Sequence, residues 1–151
     1  MNLLMCPVCR QVLQLHDRTW RCANNHSYDV AKQGYVNLHV VQHKHSKNPG
    51  DTAASVQARR AFLSAGHYAP LQQAVVQKIR TLRIENLLDI GCGEGYYTAA
   101  MQAEVLQCVG VDIAKNAVQV AAKPSRTVMY SPTLGTATIS PLKIHFAPPS
   151  S

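Results

Sequence analysis

No apolar run in this chain approaches the roughly 18 residues needed to cross a bilayer. The opening "MNLLMCPVC" breaks into Cys and Pro too early to form the apolar core of a signal peptide. These absences argue against a membrane partner and against export, and the expectation is a soluble, cytoplasmic protein. Acidic residues are also scarce. Eight Asp and Glu face fifteen Lys and Arg, leaving a net charge of +7 and a pI near 9.4. Such a balance suits an anionic partner, with nucleic acid the first candidate, because cations that neutralise phosphates release condensed counterions. It equally suits a small protein kept soluble by its charge. At 151 residues the chain is of single-domain size, although doubly wound cofactor-binding folds commonly need more.

Cysteine is sparse and odd in number, five in all, and three of the five cluster near the N-terminus beside a histidine. That arrangement fits a metal site better than a disulfide framework. Cys6, Cys9, Cys22 and His26 read C-x2-C-x12-C-x3-H, two close pairs joined by a loop long enough to fold back. Thiolates and a neutral imidazole are zinc's preferred ligands, and a full set of protein ligands leaves no open position, so the zinc is structural. His16 is a weaker fourth ligand because it lacks the short spacing to Cys22. A module this small cannot bury a core of its own, so the metal supplies much of its folding free energy. Cys92 and Cys108 read as structural thiols.

Beyond the zinc pattern, "HSYDVAKQGYVNLHVV" alternates apolar and polar residues around Gly34, a hairpin-like pattern. Tyr28 and Tyr35, interleaved with Lys32 and His39, either stack on unpaired RNA bases or pack the ribbon. "QHKHSKNPGD" is polar, basic and rich in breakers, and reads as a linker that either touches phosphate or simply connects. Residues 1–41 are thus a zinc-binding module and 42–50 a basic linker. Asp51 is placed to cap a helix over "TAASVQARRAFLSA" that ends before Gly66. A second helix starts near Pro70, with Leu71, Val75, Ile79 and Leu82 forming one buried stripe. Then come a strand "NLLDI", a glycine turn, a helix from about Tyr96, a strand "CVGVD" and a helix over "AKNAVQVAAK". This alternation predicts an α/β fold with parallel strands.

The turn itself, Asp89-x-Gly91-x-Gly93-Glu94-Gly95, directly follows the apolar strand. Glycines allow a tight turn and close approach of the backbone to a ligand, and the next helix points its N-terminus into the same crevice. The carboxylates of Asp89 and Glu94 repel a pyrophosphate but suit a ligand bearing an ammonium and a sulfonium. Asp112 ends the next strand, where an acidic residue accepts hydrogen bonds from ribose hydroxyls. Together they point to S-adenosylmethionine rather than a dinucleotide.

With "CPVC", "CANNH", "DVAKQGYVNL", "VQHKHSKNPGD", "QARRAFLSAGHY" and "LLDIGCGEGYYT" in this order, the sequence resembles the bacterial 23S rRNA guanine-N1 methyltransferase family from Cys6 to about Lys123. The resemblance implies an N-terminal zinc module that helps hold a large-subunit rRNA hairpin, joined to a Rossmann-like domain that binds S-adenosylmethionine. It implies zinc ligation by Cys6, Cys9, Cys22 and His26, and cofactor contacts from Gly93, Glu94 and Tyr68. The implied reaction moves a methyl from a sulfonium to guanine N1 as the N1 proton leaves, on a base exposed in a loop or drawn from its stack. A homodimer stays open, and no catalytic residue can be named.

After Lys123 the resemblance stops. Residues 51–123 are expected to form the N-terminal part of the methyltransferase domain and 124–151 a divergent, irregular tail. Within the tail there is no acidic residue, prolines stand at 124, 132, 141, 148 and 149, and "TATISPLKIHF" offers at most a short edge strand. A C-terminally truncated or frame-shifted member is the expectation, with a sheet edge and apolar surface left uncovered and methylation by the chain alone in doubt. The alternative is a non-catalytic, zinc-dependent RNA-binding module.

Overall fold

A computed structural model describes residues 4–38, 50–123 and 128–130, the last by backbone alone. His39, nearly all of the expected linker and the expected edge strand in "TATISPLKIHF" lie outside the described residues.

The zinc-binding module is a three-stranded antiparallel ribbon, β1 (Gln14–His16), β2 (Thr19–Arg21) and β3 (Ser27–Asp29), in that order. Asp17, at positive φ, turns β1 into β2 and sets Leu15 opposite Trp20, while Tyr28 of β3 faces Trp20 from the other side. The hairpin expected around Gly34 is present as a tight turn, with Gly34 N–H donating to Ala31 O and an antiparallel bridge between Val30 and Val36. Tyr35 is buried. Tyr28 is half-buried and packs on the ribbon core, so both rings serve packing.

Helix α1 spans Ala53–Ser64 and α2 spans Ala69–Leu82. Thr52, not Asp51, caps α1: its hydroxyl accepts from Ser55 N–H at 3.2 Å, which leaves Asp51 free to pair elsewhere. α2 has Pro70 in its first turn, where a missing N–H costs nothing, and it ends on left-handed Arg83. The expected buried stripe is corrected. Only Ile79 is buried, while Leu71 and Leu82 are about half exposed. Periodicity places these residues on one face, but among the described residues that face has only α3 and the turn after it to pack against.

The second sheet is parallel, with order β4 (Asn86–Ile90), β5 (Gln107–Val111) and β6 (Val128–Tyr130). Helix α3 (Tyr96–Met101) with a 3-10 turn joins β4 to β5, and α4 (Lys115–Ala121) precedes β6. The sequence alone suggests two strands and an irregular tail. The third strand falls on β-prone "VMY", which Pro124 and Pro132 flank rather than interrupt. β4 has no partner on its other side among the described residues, and its last residue, Ile90, is exposed.

The two parts share their cores. Leu4, Leu13, Trp20, Val36 and Leu38 of the ribbon form one cluster with Val109 and Val111 of β5, and Leu88 of β4 packs against it. Tyr35 packs with Cys92 of the glycine turn and with Val118, Ala121 and Ala122 at α4, and Gln119 Nε2 donates to its hydroxyl at 3.4 Å. A ribbon too small to bury its own apolar residues thus covers one face of the sheet.

Candidate functional site

Two knuckles bring the metal donors together. In the first, Arg10 N–H donates to Cys6 O and Arg10 takes a left-handed conformation. In the second, Asn25 N–H donates to Cys22 O and Asn25 is left-handed. The Sγ atoms of Cys6, Cys9 and Cys22 and a ring nitrogen of His26 all lie within 4.8 Å of one another. Cys9 Sγ and Cys22 Sγ are 3.6 Å apart, and His26 Nδ1 is 3.5 Å from Cys6 Sγ and 3.4 Å from Cys22 Sγ. A tetrahedron with Zn–S near 2.3 Å and Zn–N near 2.0–2.1 Å has edges of about 3.8 Å between sulfurs and about 3.6 Å between sulfur and nitrogen. The cage therefore fits zinc, with His26 binding through Nδ1. The Gln11 backbone N–H beside Cys9 pulls its thiol down to about 6, whereas burial pushes the Cys22 thiol up. Tyr28 Oη lies 3.2 Å from Cys6 Sγ, and burial followed by this sulfur raises the phenol's pKa, keeping it a donor. His16 stays exposed on β1, outside the cage.

The second site is a cleft of ≈ 490 Å³, a size that suits a small organic ligand. One wall is the glycine turn with Gly91, Cys92, Gly93 and Glu94, extended by Tyr97. The other comes from α1 and the turn after it, with Arg59, Phe62, Leu63 and Tyr68. Tyr68, some twenty residues before the turn in sequence, is brought against it and stands edge-on to Phe62 at 5.7 Å between ring centroids. Gly91 and Gly93 have φ of 76° and 56°, and a Cβ on Gly91 would meet nothing within 4 Å, so the backbone here is open to a ligand.

Carboxylates around the turn divide into held and unheld. Asp112 sits just past β5 and accepts Gly93 N–H at 2.9 Å and Ala114 N–H at 2.7 Å, tying the glycine turn to the end of the strand. Asp89 accepts the hydroxyl of fully buried Thr98 at 2.5 Å. Gly95, at φ 84°, starts α3. Glu94 differs: its side chain is 6% exposed, and its Oε2 is buried with no hydrogen-bond partner among the described residues. A buried carboxylate oxygen without a hydrogen-bond donor is costly, and its ion-pair partner, Arg59 Nη1, stays at 3.9 Å, too far for a hydrogen bond. Burial, and after it the charges of Asp112, Asp89 and Glu94, push the Cys92 thiol well above its usual range, which suits an inert packing role.

Cys6, Cys9, Cys22 and His26 thus converge, and Tyr68, Gly91, Gly93 and Glu94 meet at one cleft. Asp112 holds the glycine turn through Gly93 N–H and Asp89 holds Thr98 of α3, and neither is among the residues that line the cleft. Arg59, Phe62, Leu63 and Tyr97 were not singled out by the sequence, where "QARRAFL" gives no sign of which helix face meets the turn.

Comparison with known proteins agrees with both sites. Residues 4–47 match the zinc-ribbon family model described as "RlmA, N-terminal", and residues 51–146 match the model described as "Methyltransferase domain". The chain is 40% identical over 126 residues to the 23S rRNA (guanine(748)-N(1))-methyltransferase of Streptomyces fradiae, a match covering 80% of this chain and 44% of that protein. A relative from Micromonospora griseorubida, provisionally named for guanine-N1 methylation of 23S rRNA, is 37% identical over 142 residues, covering 80% of this chain and 47% of its own. The chain therefore spans about half the length of the curated relatives it matches. Among solved structures, DesVI of Streptomyces venezuelae superposes with a TM-score of 0.42 at 19% identity, over 54% of this chain and 36% of that one, a likeness too low to carry functional weight. On the match across residues 51–146, preceded by the ribbon match, the chain belongs to the methyltransferase-domain family and bears an RlmA-type zinc ribbon at its N-terminus.

Proposed function

We propose that the cleft binds S-adenosylmethionine and that the protein methylates guanine N1 in 23S rRNA. The observation that carries the reading is the buried Glu94 oxygen, which has no hydrogen-bond donor among the described residues, in a cleft edged by open glycines and Tyr68. The cofactor supplies an electrophilic methyl on a sulfonium. Glu94 receives the cationic amino-acid end, Gly91, Gly93 and Gly95 let the backbone close on the ligand, Tyr68 covers it, and Asp89 and Asp112 hold the turn in shape. The names of the relatives support guanine N1 as the acceptor and 23S rRNA as the substrate. In this reading residues 1–41 are the module that holds an rRNA hairpin, 42–50 the linker and 51–123 the cofactor-binding part.

Calorimetric titration of S-adenosylmethionine into the zinc-loaded chain tests binding. Incubation with a labelled methyl donor and 23S rRNA, followed by reverse transcription, tests the position, because a methyl on N1 blocks the pairing edge and stops the enzyme. Absence of binding, or label without such a stop, rejects the reading. A second reading, a non-catalytic RNA-binding ribbon, draws on Arg10, Arg21 and Lys32, which are exposed and make no ion pair among the described residues. It is favoured if RNA binds with a steep salt dependence while the cofactor does not bind.

A further inference from the structure

We propose that Tyr28 is a positioning residue of the metal cage, its hydroxyl donating to the buried Cys6 thiolate and thereby setting how tightly zinc is held. Three thiolates and a neutral imidazole around a divalent ion leave one net negative charge, which resides on the sulfurs. Burying that charge is costly unless hydrogen-bond donors reach the sulfurs. Cys9 is half-buried, where water can reach it, and the Gln11 backbone N–H and the Asn24 side chain donate to it. Cys6 is fully buried, so no water can stand in for the Tyr28 hydroxyl, 3.2 Å from its sulfur.

Strand geometry delivers the ligand and the donor together. Side chains two apart on extended chain share a face, and His26 Nδ1 and Tyr28 Oη both reach Cys6 Sγ, at 3.5 and 3.2 Å. β3 is fixed in register by the pairing of Tyr28 with Trp20, and next to it the Thr19 hydroxyl donates to Asp29 Oδ1 at 2.7 Å. The Tyr28 ring packs on the core that the ribbon shares with β5, so the oxygen is carried on an anchored ring and little freedom is lost when it bonds. Packing accounts for the ring, and a phenylalanine would fill the same space. It does not account for a hydroxyl aimed at a ligand sulfur. A hydrogen bond to an ionised acceptor is stronger than a neutral one, and a donor beyond the ligands fixes the geometry of the ligand it touches.

Competition of the full chain against a chromophoric chelator reads the zinc affinity. Tyr28→Phe keeps the ring and is expected to weaken zinc by about 10- to 100-fold. In the cobalt-substituted chain the same variant is expected to move the sulfur-to-metal charge-transfer band to lower energy, because a thiolate that loses a donor gives up electron density more readily. Tyr35→Phe removes a ribbon hydroxyl that bonds Gln119 rather than sulfur, and is expected to leave both readings unchanged. Unchanged zinc binding in Tyr28→Phe overturns the proposal. Weaker binding with an unmoved band, or an equal loss in Tyr35→Phe, assigns the effect to packing and overturns it too. A last measurement needs no variant. In the chain loaded with a spin-active cadmium isotope, the Tyr28 hydroxyl proton is expected to exchange slowly with water and to couple to the metal nucleus through sulfur. A hydroxyl proton that exchanges freely overturns the proposal even where Tyr28→Phe fails to fold.

Discussion

Removing the zinc should unfold far more than the ribbon. The metal site and the parallel sheet share one core, in which Val109 and Val111 of β5 are only 7% and 9% exposed because ribbon residues cover them. Fully burying a side chain of valine size is worth about 1.5–3 kcal/mol, so uncovering the pair removes about 3–6 kcal/mol from the methyltransferase part alone. That is comparable with the lower half of a domain's whole stability, about 5–15 kcal/mol. Loss of Leu88 packing and of the Tyr35 contact with Cys92 and α4 adds to it. Two probes report the two parts independently. Trp20, the single tryptophan, lies in the ribbon, whereas every described α-helix lies between Ala53 and Ala121. A chelator titration followed by tryptophan fluorescence and by far-ultraviolet dichroism should show both signals falling together, and zinc should restore both. If fluorescence is lost while helicity and its melting temperature stay unchanged, the shared core contributes nothing and the reasoning is refuted.

Other outcomes follow from single positions. Gly50→Ala should cost about 2–4 kcal/mol, because φ is 86° and a Cβ there would sit 2.6 Å from Ala114 Cβ, whereas Gly66→Ala, at φ 87° in open space, should cost only about 1–2 kcal/mol; urea melts compare them. Asp112→Ala leaves the Gly93 and Ala114 N–H groups without their acceptor, at about 1–3 kcal/mol each, and should weaken adenosyl-ligand binding as well as stability, read by melting and titration on the same sample. Arg80 grips Glu104 through two hydrogen bonds of 2.6 Å and holds its carboxyl below the usual range. A carboxyl whose folded pKa is depressed contributes stability above its unfolded pKa and loses it as pH falls through the folded value. Glu104→Gln should therefore lower Tm near neutrality and make no difference in acid, and an equal loss at both would assign the effect to packing.

How far the site could be read in advance depended on how local each feature is. Cys6, Cys9, Cys22 and His26 were legible because two short spacings each close a knuckle, and chemistry then selects the metal. The glycine turn was legible because a strand, glycines and a helix succeed one another within a dozen residues. Helix α1 was legible, but its cap was not: Asp51 and Thr52 are both good capping residues, and the pull of Arg59 on Asp51 decided between them.

The sequence by itself determined what short-range geometry determines: two knuckles of metal ligands, a β-α-β series and an open glycine turn with acidic neighbours. Tertiary structure decided which surfaces meet. It set the ribbon on β5 and α4, left Leu71 and Leu82 of an amphipathic helix half exposed, added Val128–Tyr130 to the sheet, and brought Arg59 and Tyr68 to the turn. The physical reason is that periodicity specifies that a face is apolar or charged, while the partner of that face is chosen by packing among segments far apart in the chain.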